Sequence, residues 1–198
     1  MTKYVLNSGN ANRHPKLRRE FHQELISGLG HGPKFLICSF AQIRENWNFK
    51  FESYTEAITE DMPSDVEPSF ELAMPDTFKD QCTNTDIVYC NGGDDTLLKY
   101  WMSQFDLAEI FKGKVVGTSS ASSSMLAKGY WTCDWRQCAN GFGILPIKFI
   151  PHYGSDFGNN DPRGPINWQR AHDELKSYGD PSLPIYTLKE GESAVFKQ

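Results

Sequence analysis

KVVGTSSASSSMLAK, residues 114–128, passes from a β-branched run (Val115-Val116) through a cluster of small hydroxyl residues into a run fit to start a helix. A strand that ends on serines and turns at once into a helix lets an α/β protein hold one hydroxyl up at the carboxyl edge of its sheet, backed by the helix's amide groups. Ser119 and Ser120 are therefore candidate nucleophiles. Hydroxyl residues are also ordinary in turns and helix caps, where they bond local amides. The turn gains chemical meaning from what flanks it, Gly92-Gly93 before and Pro151-His152-Tyr153 after.

Outward from this turn the chain alternates strand and helix. Tyr4-Val5-Leu6 reads as a first strand closed by Asn7-Ser8-Gly9, and Leu17, Phe21, Leu25 and Leu29 form the stripe of an amphipathic helix over 16–29. KFLICSF (34–40) is mostly apolar, as in a parallel strand covered on both faces. Residues 43–60 suit a helix of poor period, 68–74 a strand and 76–81 a short helix. DIVYC (86–90) is a strand that runs into Gly92-Gly93-Asp94-Asp95-Thr96 and a helix carrying Leu97, Leu98, Trp101 and Met102. Residues 114–117 form the strand before the serine turn, 147–150 another ending at Pro151-His152, 168–178 a helix, and 185–188 and 193–196 closing strands. This order predicts one domain over 1–198, an α/β fold with a mostly parallel, doubly wound sheet and helices on both faces.

Composition narrows the function. The chain has 198 residues, 39% hydrophobic and 23% charged, enough for one domain with a proper core. A net charge of −5 and the lack of a long Lys/Arg cluster argue against a phosphate-binding surface, so no nucleic-acid partner is expected. No run approaches the roughly 18 apolar residues of a membrane span, and MTKYVLNSGN lacks the marks of a signal peptide, which predicts a soluble, cytoplasmic protein. Five cysteines at irregular spacing, with no CxxC pair, read as reduced thiols.

In open α/β sheets ligands sit beyond the carboxyl ends of the strands, which brings the loops at 92–96, 118–122 and 152–157 into comparison. The chemistry those residue types could share is acyl transfer, in which a serine attacks, a histidine takes its proton and backbone amides receive the oxyanion. Asp94-Asp95 offers too few oxygen ligands for a hard cation, and the Gly92-Gly93 loop does not fit a nucleotide-binding pattern. No metal and no cofactor are expected.

The order of Gly92-Gly93-Asp94-Asp95, Ser120-Ala121-Ser122-Ser123, Gly141-Phe142-Gly143-Ile144-Leu145-Pro146 and Pro151-His152-Tyr153 resembles the dipeptidase E family of serine peptidases, the aspartyl dipeptidases with their cyanophycinase relatives. The resemblance covers essentially the whole chain and implies a class I glutamine amidotransferase-like fold. It also implies Ser120 as nucleophile, His152 as general base, Asp134 as first choice for the acid with Glu190 in reserve, and the amides of Gly93 and Ala121 as oxyanion hole. Arg170, in a Gln-Arg context on the helix after the histidine loop, is implied as reader of a substrate carboxylate. The implied partner is a short peptide substrate; a homodimer is left open.

Two departures from the family pattern carry expectations of their own. Thr118 and Ser122 stand where the family has glycines, and a β-branched Thr118 predicts a clash or a relaxed turn. Asp94-Asp95 replaces Asn-Thr and would repel an acidic substrate. The alternative function is a member of the family that keeps the fold, has lost catalysis and serves as a binding or regulatory module.

Overall fold

The computed structural model describes residues 1–198. Ten strands and seven α-helices follow in chain order: β1 (Lys3–Asn7), α1 (Pro15–Ile26), β2 (Lys34–Cys38), α2 (Trp47–Asp61), β3 (Ser69–Leu72), α3 (Phe78–Thr83), β4 (Ile87–Cys90), α4 (Asp95–Met102), α5 (Leu107–Ile110), β5 (Val115–Ser119), α6 (Ala121–Leu126), β6 (Ala127–Thr132), β7 (Gln137–Asn140), β8 (Leu145–Ile150), α7 (Trp168–Ser177), β9 (Ile185–Thr187) and β10 (Ser193–Lys197). The main sheet has the order β10-β1-β5-β4-β2-β3, parallel throughout except where β10 pairs antiparallel with β1.

The apolar strands alternate between two cores. Val5, Phe35, Ile37, Ile87 and Tyr89 face Phe21 and Leu25 of α1 and Ile58 of α2. Tyr4, Leu6, Leu36, Cys38, Val88 and Val116 face the opposite way, toward Phe78, Leu98 and Phe111 and toward Tyr130, Leu145 and Phe149 of a second sheet. With both faces covered, period-two polarity disappears, which is why these strands read as continuous apolar runs.

That second sheet is the main departure from the sequence reading. It has the order β7-β6-β8-β9, with β6-β7 antiparallel and the other pairs parallel. Its far face packs Trp131 and Ile150 against Ala171 and Leu175 of α7. The run after the serine turn, which reads as fit to start a helix, is helical for six residues before the chain becomes β6. Phe142 and Gly143 donate their amides to the carbonyls of Met125 (2.7 Å) and Ala127 (3.1 Å), and a side chain at Gly141 would collide with the Ala127 carbonyl. The Gly-Phe-Gly segment thus takes up the helix's terminal carbonyls and redirects the chain into a strand. No helix is long and apolar enough to cross a membrane. None of the five cysteines is paired, and Cys38, Cys82, Cys90 and Cys133 are buried.

Candidate active site

β5 lies between β1 and β4, and its carboxyl end delivers Ser119 and Ser120 to the edge of the sheet. Ser120 leaves the strand with φ 52° and ψ −111°, a conformation that costs a residue bearing a Cβ about 1–3 kcal/mol. The turn is held by its neighbours. The Ser120 amide donates to the Asn7 carbonyl at 2.9 Å, and the Ser120 carbonyl accepts from the Ser124 amide at 3.0 Å. Space is kept by Gly9 and Gly92: a Cβ on either would stand 3.0 or 3.1 Å from the Ser120 Cβ, and on Gly9 also 2.7 Å from His152 Cε1.

His152 lies just past β8 with φ 56°, its ring stacked on Phe157 at 4.2 Å between centroids. Its Nε2 stands 2.9 Å from Ser120 Oγ, and its Nδ1 stands 3.2 Å from Glu190 Oε1. A carboxylate only accepts, so Nδ1 carries the proton and donates to Glu190, leaving the Nε2 lone pair to accept from the serine hydroxyl. Glu190 is itself fixed by Asn10 Nδ2, which donates to Oε1 at 2.6 Å, with the Arg13 guanidinium 3.7 Å from Oε2. The acid hydrogen-bonded to His152 is thus Glu190. Asp134 lines the same pocket yet makes no bond to the imidazole: it follows β6, whereas Glu190 reaches Nδ1 from the loop before β10.

The sequence reading treated Asn7-Ser8-Gly9 only as the end of a strand. In the fold it ties the site together. Asn7 Nδ2 donates to the Gly191 carbonyl (2.9 Å), Ser8 Oγ donates to the Leu188 carbonyl (2.9 Å), and the His152 amide donates to Ser8 Oγ (2.6 Å). A short polar triplet ending in glycine after a buried strand was the available signal, but it is also how ordinary turns look.

Thr118 is not crowded, contrary to expectation. Its side chain is buried on the Val116 face of β5, where Oγ1 lies 2.9 Å from Ser123 Oγ, which in turn donates to the Asn7 carbonyl at 2.8 Å. Ser122 accepts from the Ser119 amide (2.8 Å) and donates to the Cys90 carbonyl (2.6 Å), fastening α6 to β4. Ser119 faces away from the Ser120 pocket and borders a separate cavity with His22 and Tyr89.

Gly93, with φ 149°, lines the Ser120 pocket, and a side chain there would collide with the Ala41 carbonyl; its amide has no backbone acceptor. Ala121 is the first residue of α6, so its amide has no acceptor within the helix. Gln42 Nε2 donates to the Gly92 carbonyl at 2.5 Å and holds the glycine loop in place. The two acidic residues of that loop part company. Asp94 caps α4 by accepting from the Thr96 and Leu97 amides at 2.7 and 2.9 Å, while Asp95 faces the pocket and accepts from the Tyr130 hydroxyl at 2.9 Å. Arg170 is not in this pocket: it is exposed on α7 and donates to Glu174 one turn along at 2.7 Å.

Burial is the largest influence on His152 and lowers its pKa below the usual imidazole value; Glu190 opposes this and Arg13 adds to it. The imidazole is therefore neutral, and able to accept a proton, at neutral pH. Asp134 is shifted upward, first by desolvation at the pocket wall and then by the charges of Asp95 and Asp94, with Arg163 opposing.

No family model matches the sequence. No curated protein matches it either. Solved structures do. A peptidase from an acI-B1 Actinobacterium superposes over 100% of this chain and 84% of its own, with TM-score 0.65 at 18% identity. A candidate peptidase E protein from Listeria monocytogenes EGD-e superposes over 99% of this chain and 94% of its own, with TM-score 0.68 at 14% identity. At these identities the likeness is one of fold, and the chain has, over its whole length, the fold of these two peptidase structures.

Proposed function

We propose that the chain is a serine peptidase of the dipeptidase E type acting on short peptides, with Ser120 as nucleophile, His152 as general base and Glu190 as the acid that orients it. The observation that carries this reading is the unbroken chain Ser120 Oγ to His152 Nε2 (2.9 Å) and His152 Nδ1 to Glu190 Oε1 (3.2 Å), mounted on a strained strand-to-helix turn. The match to peptidase structures supports it independently. His152 takes the Ser120 proton as Oγ attacks the peptide carbonyl, and the amides of Gly93 and Ala121 receive the oxyanion. The imidazolium then gives its proton to the leaving amine. Water, deprotonated by the same imidazole, releases the acyl group and restores the serine.

Retention of both the geometry and the strain favours catalysis over a binding module that merely inherited the fold, since an unused strained turn would relax at a gain in stability. A cytoplasmic setting belongs to the proposal and is supported by five unpaired thiols. The test is labelling by a fluorophosphonate together with hydrolysis of a panel of short peptides. Ser120→Ala should abolish both, while Ser119→Ala, which alters a hydroxyl outside the pocket, should retain most of both. Wild-type protein that neither labels nor cleaves would sink this reading.

A further inference from the structure

The pocket in front of Ser120 and His152 has a one-sided charge. Asp95 and Asp134 are among its walls, with Tyr130, Thr132, Pro151 and Phe157, and no lysine or arginine is. Asp95 Oδ2 is held by the Tyr130 hydroxyl, a neutral donor that fixes the carboxylate without cancelling its charge. The Asp134 carboxylate has no ion-pair or hydrogen-bond partner. Arg163 donates to the Asp134 backbone carbonyl at 2.7 Å and directs its charge to Asp161 through two further bonds. Arg170, the expected reader of an acidic substrate, is bound to Glu174 outside the pocket.

We infer that this pocket selects substrates carrying a cationic group, an ammonium or guanidinium on the residue whose carbonyl Ser120 attacks, and that Asp95 and Asp134 are its specificity-determining residues. The inference rests on the peptidase reading, because it is the Ser120–His152 pair that makes the cavity a substrate site. Asp95 and Asp134 line one pocket, and their mutual repulsion, which adds to desolvation in raising the Asp134 pKa, is relieved by a bound cation. An acidic side chain in the same place would add a third like charge. Tyr130 and Phe157 offer apolar surface to the methylene stem of a lysine or arginine.

The cation could be a basic side chain or the free α-amino group, and a set of dipeptides distinguishes them: Lys-Leu, norleucine-Leu and Asp-Leu, each with free and acetylated amino termini, compared by kcat/KM on the full chain. A basic side chain in the pocket gives Lys over norleucine by on the order of tenfold with either terminus, and Asp lowest. An α-ammonium in the pocket gives Lys and norleucine equal rates and a comparable loss on acetylation. Either pattern supports the inference, provided that Asp95→Asn or Asp134→Asn, checked for folding by circular dichroism, reduces the discrimination. If one variant does not fold, the other decides. Equal rates for all substrates regardless of acetylation, or Asp-Leu fastest, would overturn the inference while leaving the peptidase reading intact. Failure to cleave any of them, with no fluorophosphonate label, overturns both.

Discussion

A histidine that is to accept a proton from serine needs its other nitrogen tied down, and in this chain the tie is a glutamate 38 residues further on. Glu190→Gln is the informative substitution, since the amide oxygen can still accept from Asn10 and Nδ1 while the negative charge that stabilises the imidazolium is gone. Its expected cost is roughly 10³-fold in kcat with the fold intact. Asp134→Asn should instead act mainly through KM, and a larger kcat loss there than in Glu190→Gln would transfer the orienting role to Asp134. Because burial lowers the His152 pKa, the acid limb of kcat/KM should lie below pH 6.5, the usual imidazole value, with activity level above it. Removing Glu190's charge withdraws an opposing influence, so the limb should move further toward acid in the variant.

At the level of elements, the strand-to-helix unit β5-α6 is stitched by hydroxyls. Thr118 bonds Ser123, which bonds Asn7, and Ser122 bonds Ser119 and Cys90, so the hydroxyls span three adjacent strands. Thr118→Gly, which introduces the glycine that the dipeptidase E pattern has at this place, should therefore not raise hydrolysis. It removes a buried hydrogen bond and loosens a central strand, so a loss of about 1–2 kcal/mol in urea denaturation is expected. A gain in activity at unchanged stability would show that Thr118 strains the turn after all. Lys148 illustrates the same economy in β8: fully buried, its ammonium donates to the Leu175 and Lys176 carbonyls at 2.8 and 3.0 Å and caps the end of α7.

The molecule as a whole is clamped on the α1–α2 side by a buried polar cluster. Asp61, with no side-chain exposure, accepts from Arg18 Nε (2.8 Å) and Nη2 (3.0 Å) and from His22 Nδ1 (2.8 Å). Burial alone would raise the Asp61 pKa, but the bonds from Arg18 and His22 outweigh it and the net shift is downward. His22 is shifted downward chiefly by burial, with Asp61 opposing. A lowered carboxylate contributes stability above its unfolded pKa, lost as pH falls through the folded value. A lowered histidine binds protons more tightly unfolded, so stability also falls as pH drops below about 6.5. Both act in one direction: denaturation midpoints should be level from neutral pH upward and decline on acidification. Asp61→Ala strands Arg18 and His22, with an expected loss of about 3 kcal/mol at pH 7. A loss under 1 kcal/mol would mean that water replaces the carboxylate.

Short-range pattern encodes the parallel strands, the α1 stripe, the serine turn and the Gly92-Gly93 and Pro151-His152 loops that border its pocket. Continuous apolar runs and turn residues act within a few positions, so their meaning survives without coordinates. The tertiary structure alone decided which acid meets His152, that Asp94 caps a helix while Asp95 faces the pocket, and that Arg170 stays outside it. It also decided that the segment after α6 becomes a strand, because Gly141 to Gly143 returns to take the helix's last carbonyls. The partners of Glu190, Asp95 and the Gly141–Gly143 segment are remote in sequence, whereas the Asp94 cap and the Arg170–Glu174 pair are local bonds. A carboxylate looks the same in the chain whether it will cap a helix, orient an imidazole or face a substrate, and only the path of the backbone assigns it one of those partners.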